Sequence, residues 1–152
     1  MRISAKADYA VRAAIALAAP DQDGPLKGDR ISEAQGIPLR VLENIPGELR
    51  HSGLVQSQRG TEGGYWLARP AADVTIAEII RAVDGPLATV RGERPEDLEY
   101  LGRAQKLQDV WVGLRANIRE VLETVTLADI VAGDLPEPVG EIVGRPEVWE
   151  SH

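Results

Sequence analysis

The chain has 152 residues, 43% of them hydrophobic and 27% charged, with a formal net charge of −7. That is enough apolar material for one compact domain, or a small domain with an appendage. It contains no cysteine and only two histidines, His51 and His152, which excludes disulfides, thiol nucleophiles and thiolate-held zinc or iron–sulfur centres. No stretch approaches 18 consecutive apolar residues, and the start, Met-Arg-Ile-Ser-Ala-Lys, lacks the apolar core of a signal peptide. The expectation is a cytoplasmic protein with no membrane segment.

Elements follow in order along the chain. Ser4 to Ala19 predicts an alanine-rich helix capped by Ser4 and stopped by Pro20. A loop over 21–25 precedes a short helix from Leu26 to Gln35, ended by Gly36. After a Gly-Ile-Pro turn, Leu39, Leu42, Ile45 and Leu49 fall at helical spacing until Ser52-Gly53. Two helices joined by a tight glycine-containing turn form a helix-turn-helix. Pro46 lies inside the second helix and removes its bond to the Leu42 carbonyl, so a bend or a split is expected between Leu42 and Pro46.

Two short runs, 54–58 and 65–68, flank Arg59-Gly60-Thr61-Glu62-Gly63-Gly64 and predict a β-hairpin, a wing beside the helix-turn-helix. Thr75-Ile-Ala-Glu78 is a capping box opening a helix that runs to Gly85-Pro86. A polar loop follows over 87–97. From about Asp97 a long helix is expected, with Ala104, Leu107, Trp111, Leu114, Ile118, Val121 and Val125 at heptad spacing. Thr126 to Asp129 is a second capping box, opening a short helix to Gly133. The tail, with three prolines and five acids, is expected to be ordered only in part. The domain division is therefore 1–86 for DNA binding, 87–133 for the loop, dimer helix and short helix, and 134–152 for the tail. The fold class is mainly α with a small β-hairpin.

The charge is unevenly divided. Residues 1–70 carry nine Lys/Arg against eight Asp/Glu, and the rest carry eight against sixteen. A field screened over about 10 Å allows a basic face on the first half while the acidic half points away. The first turns of a second helix in a helix-turn-helix reach base edges. Here they supply Arg40, Glu43 and Asn44, whose chemistry suits guanine, cytosine and adenine respectively. Arg59 and Thr61 belong to the wing, and Lys6, Lys27, Arg50 and Arg2 are candidate phosphate contacts. On an ordinary protein each of these is merely a solvent-facing polar residue; the combination with the wing favours DNA. Leu107, Trp111, Leu114, Ile118, Val121 and Val125 are candidate dimer contacts. Arg91, Arg94, Tyr100 and Trp111 are a candidate effector pocket, against the plainer reading of Trp111 as core. Neither paired catalytic carboxylates nor a phosphate loop marks an enzyme.

The opening Met-Arg-Ile-Ser-Ala-Lys-Ala-Asp-Tyr-Ala-Val-Arg, the segment Leu42-Glu-Asn-Ile with Gly53-Leu-Val, and the wing Arg59-Gly-Thr-Glu-Gly-Gly-Tyr65 resemble the Rrf2 family of winged-helix transcription regulators. The later helix ending Ala82-Val-Asp-Gly-Pro86 adds to the likeness, which runs from residue 1 to about 133. The resemblance implies a homodimer on a palindromic operator, usually as a repressor, with base reading around Arg40, Glu43 and Asn44 and wing contact through Arg59. It also implies, for many members, an iron–sulfur cluster held by three cysteines that this chain lacks, so no cofactor is expected. Asp8 matches a ligand position of some members and is read here as a surface aspartate. Pro38 stands where the family favours a capping serine. The input is then a small-molecule effector or a partner protein. The alternative is a dimeric interaction module for which DNA binding is secondary.

Overall fold

A computed structural model describes residues 2–152. Helix α1 (Ala5–Leu17) begins as the sequence dictates, with the Ser4 hydroxyl accepting from the Ala7 N–H at 2.9 Å. Its inner face is almost wholly alanine: Ala7, Ala10, Ala13 and Ala14 are buried. Side chains this small let neighbouring helices approach closely. Helix α4 (Ile76–Asp84) packs there with Ala77, Ile79 and Ile80, while α2 (Gly28–Gln35) and α3 (Ile45–His51) lean on other parts of α1. The Thr75 capping box is formed on both sides, as expected.

Helix α2 starts two residues later than the sequence suggested. Leu26 is extended and exchanges two backbone hydrogen bonds of 2.9 Å with Tyr65. The wing consists of β1 (Val55–Gln58) and β2 (Gly64–Leu67), antiparallel, with Val55 opposite Leu67 and Gln58 opposite Gly64. Leu26 thus adds a one-residue bridge to the two-stranded ribbon and ties it to the helix-turn-helix. Tyr65 belongs to an aromatic segment suited to extended pairing, and its two backbone bonds hold Leu26 outside the helix.

The segment between Pro38 and His51 divides at Asn44. Residues Leu39–Glu43 form a 3-10 helix, Asn44 has φ −112°, and α3 begins at Ile45 with Pro46 in its first turn. This is the expected break, and its cause is visible. Proline is tolerated in a first turn because its missing N–H would have no partner there. Glu48 N–H then closes the first turn on the Asn44 carbonyl at 3.1 Å. Pro38 precedes the 3-10 helix as its cap residue and contributes no side-chain cap. Leu42, Ile45 and Leu49 are buried, but Leu39, which belongs to the same apolar spacing, is 57% exposed.

The long helix is shorter than its heptad suggested: α5 is Leu107–Thr124, not a helix from Asp97. Residues Pro95–Asp97 and Gly102–Ala104 are isolated 3-10 turns, separated by extended Leu98 to Leu101, and Gly102 sits at φ +58°. Pro95 and Leu98 are buried, so the chain gains more by inserting them beside α5 than by continuing a helix through them. Val125, expected as a dimer contact, is the residue after α5 and lies inside the protomer's own core at 6% exposure. Its carbonyl accepts the Ile76 N–H, while Leu127 N–H donates to Val74, joining the ends of α4 and α5. Thr126 caps α6 (Leu127–Ala132), with Asp129 returning the bond.

The tail expected to be ordered only in part carries α7 (Glu137–Val143) and a 3-10 turn at Pro146–Trp149. Pro136 and Pro138 fall at the start of α7, where proline favours a helix, and Val139 is buried. Among the described residues no helix is long and apolar enough to cross a membrane.

Four ion pairs centred on three glutamates brace this arrangement: Glu78 with Arg69, Glu123 with Arg81 and Arg119, and Glu96 with Arg115. Burial pushes the Glu78 carboxyl up, but the Thr75 N–H and Arg69 outweigh it and hold it below its ordinary range. Hydrogen bonds from Arg119 and Arg81 do the same for Glu123, and one from Arg115 for Glu96. Each lowered carboxyl contributes stability above its unfolded pKa and loses it as pH falls through the folded one. Thermal unfolding midpoints should therefore drop on acidification through about pH 5 to 3. In Glu123→Gln that acid dependence should be visibly smaller.

Candidate nucleic-acid interface

The break at Asn44 shapes the reading end of the molecule. Arg40, Glu43 and Asn44 are all exposed, on the 3-10 helix and the residue that follows it. Leu39 stands exposed beside them at the tip of the same turn. Sequence periodicity assigned Leu39 to the core, so its place at this surface was missed; the proline break was the only signal for it.

Two open clefts meet at this surface. One, of about 510 Å³, lies between α3 and the wing, and Lys27, Glu43, Arg50, Gln58 and Arg59 line it. The other, of about 700 Å³, is lined by Lys6, Glu43, Asn44, Arg50 and His51. The structure therefore gathers Lys27, Glu43, Asn44, Arg50 and Arg59 on one side. Arg40 and Thr61 are exposed near its two ends and line neither cleft. Gln58, Ser57 and His51 join the surface without having been singled out from the sequence.

The basic residues differ in how free they are. Lys6 is engaged: its ammonium donates to Glu48 Oε1 at 2.6 Å, bracing α1 against α3. Arg50 donates to Ser57 Oγ at 3.1 Å, linking α3 to the wing. Arg59 and Lys27 are exposed and form no ion pair among the described residues. On the wing, a Cβ at Gly64 would meet the Leu26 backbone at 2.7 Å, and one at Gly63 the Gln58 carbonyl oxygen at 2.1 Å. The ribbon reaches its position only because these residues have no side chain.

The remaining candidates lie elsewhere. Trp111 Nε1–H donates to Tyr100 Oη at 3.0 Å, and the Arg91 guanidinium stands 5.8 Å from the Tyr100 ring centre. Arg94 begins the turn that carries Glu96. These four residues, expected as an effector pocket, line none of the clefts described here; three of them close on one another as a clamp. A larger cleft of about 750 Å³ is bounded instead by Ser4, Asp84, Leu87, Asn117 and Val121. Along α5 the apolar stripe divides. Ile118, Val121 and Leu122 pack on the protomer core, whereas Val110 and Leu114 are 57% and 41% exposed and Trp111 and Leu107 half-buried.

A helix-turn-helix followed at once by a glycine-built ribbon defines a winged-helix DNA-binding transcription regulator. The family model described as "Iron-dependent Transcriptional regulator", Rrf2, matches residues 3–133, and the chain belongs to that family. A Mycobacterium tuberculosis protein named as an HTH-type transcriptional regulator is 48% identical over 151 residues, 99% of this chain and 94% of that one. IscR of Yersinia pestis is 37% identical over 131 residues, 86% of this chain and 79% of its own length. Among solved structures, CymR, the global cysteine regulator of B. subtilis, aligns with a TM-score of 0.73 and 32% identity, over 87% of this chain and 97% of that one. T. potens IscR aligns with a TM-score of 0.68 and 30% identity, over 100% of this chain and 93% of that one. The family and these relatives are transcription regulators, not enzymes.

The iron in the family's description finds no fit in these side chains. An iron–sulfur cluster is held by thiolates, and the chain has no cysteine. Among the described residues no three His, Asp or Glu side chains converge as a metal site. Asp8 is paired with Arg12 at 3.0 Å, and Glu96 is taken by Arg115.

Gly64→Ala should separate the wing from Leu26 and cost about 1–3 kcal/mol in denaturant unfolding, the usual penalty of a forced backbone shift. Gly140→Ala, inside α7 with nothing beyond its own helix within 4 Å of the added carbon, should instead raise stability by about 0.5–1 kcal/mol.

Proposed function

We propose that the protein is a sequence-specific regulator, usually a repressor of the genes it binds, that acts as a homodimer on a pseudo-palindromic DNA site. The observation that carries this reading is the single exposed face on which Lys27, Glu43, Asn44, Arg50 and Arg59 stand together, with Arg40 exposed on the same 3-10 turn as Glu43. The 3-10 turn enters the major groove. There Arg40 is suited to guanine, Asn44 to adenine and Glu43 to the amino group of cytosine. Arg59 and Thr61 on the wing reach the adjacent backbone or minor groove, where a narrow groove attracts a cation. Lys27 and Arg50 contact phosphates and fix the register.

Dimerisation uses the first half of α5. No residue of that helix is buried in the protomer, and Val110 and Leu114 expose apolar surface beside Leu107 and Trp111. A contiguous apolar stripe on a soluble regulator fits a second copy. Two reading heads related by a two-fold axis then match a site with the same symmetry. The acidic second half lies away from the DNA in this arrangement, which reconciles the net charge of −7 with DNA binding.

Binding to DNA from upstream of the protein's own gene, titrated with salt, tests the reading. Affinity should fall by about a thousandfold or more between roughly 50 and 200 mM salt if several phosphates are neutralised. Arg59→Ala should weaken binding by about 1–3 kcal/mol without altering the fold. Affinity no better than for random DNA of the same length would refute it.

A further inference from the structure

We propose that the loop over 88–106 is fastened to α5 by protein groups alone, and that DNA binding by this chain does not respond to iron. The inference starts from the disagreement between the family's description and the donors present, and the geometry of the loop supplies its content. Two buried apolar anchors, Pro95 and Leu98, hold the loop against the first half of α5. Gln108 of α5 donates to the carbonyls of Pro95 and Glu96, at 3.4 and 3.0 Å. Arg115, one to two turns further along α5, grips both oxygens of Glu96 at 2.6 and 2.5 Å. Trp111, between them, bonds to Tyr100, and Arg91 covers the other side of that ring.

Each of these contacts joins the loop to one face of α5 or closes the loop on itself. A single exposed ion pair holds little, and here one nitrogen, Nη1 of Arg115, serves both Glu96 oxygens, but the pair acts beside buried anchors and two further hydrogen bonds from Gln108. Backbone geometry agrees. Arg91 and Gly92 sit at φ +54° and +80° in a tight turn closed by Val90 and Glu93, which exchange hydrogen bonds of 2.9 and 3.0 Å. A non-glycine residue is kept in that conformation only where its surroundings over-determine it. The donors left to the loop make no iron site: Glu93, Asp97 and Glu99 are exposed and converge with no third His, Asp or Glu among the described residues, Glu96 is neutralised by Arg115, and Asp8 by Arg12. The position of the loop, and with it the exposed stripe of α5, is thus set when the chain folds.

The test uses the full chain, purified without oxygen, with ferrous iron alone, ferrous iron plus sulfide, or an iron chelator as the probes. Loop order is read by trypsin cleavage after Arg91, Arg103 and Lys106, and DNA binding on the upstream fragment. Cleavage should be slow and equal under all three conditions, and affinity should change by less than about fivefold, the low end of coupling between linked sites. Glu96→Gln should speed loop cleavage severalfold, the paired reversal Glu96→Arg with Arg115→Glu should restore protection when cleavage is read after Arg91 and Arg103 alone, and added iron should not. Leu98→Ala, which removes a buried anchor, should speed cleavage further. Stoichiometric bound iron, a larger iron-dependent change in affinity, or protection of the loop by iron in Glu96→Gln would overturn the inference. So would cleavage of Glu96→Gln and Leu98→Ala at the wild-type rate. The loop measurements need no DNA, so they stand apart from any failure of the chain to recognise its site.

Discussion

The alanine face of α1 is the constraint on which the rest of the molecule depends. Ala7, Ala10, Ala13 and Ala14 give a helix surface without bulk, and α2, α3, α4 and α6 all approach it. A larger side chain at any of these positions would push apart elements whose spacing sets the angle of the reading end. The polar edge of the same helix completes the arrangement: Lys6 holds α3 through Glu48, and Arg12 holds the end of α2 through the Gln35 carbonyl at 2.8 Å. One helix therefore fixes both halves of the helix-turn-helix. Charges that a sequence offers as DNA contacts can serve this internal purpose, as Lys6 does.

The reading end follows from a second local cause, the proline in the first turn of α3. A continuous helix from Leu39 to His51 would have carried Leu39 into the core with Leu42, Ile45 and Leu49. The change to a 3-10 helix and the break at Asn44 turn Leu39 outward with Arg40, Glu43 and Asn44, while Leu42 stays buried. Three polar side chains and one leucine are presented together, next to a ribbon that Leu26 ties to the same body.

Much of this was legible in the sequence because local chemistry and global packing agree there. Ser4, Thr75 and Thr126 announce three helices, and each forms its expected cap. The glycine-rich stretch after Gln58 announces the ribbon, and the proline announces the break. Legibility fails where two patterns compete. Ala104 opens a heptad that the chain takes up as helix only from Leu107, because burying Pro95 and Leu98 outweighs further helical bonds. Leu26 has helical neighbours but pairs with Tyr65. The tail's prolines and acids suggested disorder, yet two of the prolines fall where a helix begins. Along α5 the sequence displays one stripe, and only the fold shows that its second half is spent on the protomer's own core. Of the candidate effector residues, Arg91, Tyr100 and Trp111 contact one another, a detail that composition and spacing do not carry.

The most direct test of the account is a base-by-base competition profile of the bound DNA site for the wild-type protein and for Glu43→Ala. If the exposed 3-10 turn reads bases, the variant should lose discrimination at one position in each half-site, by about 1–3 kcal/mol, while the other positions keep theirs. A uniform loss across the site, or an unchanged profile, would contradict it.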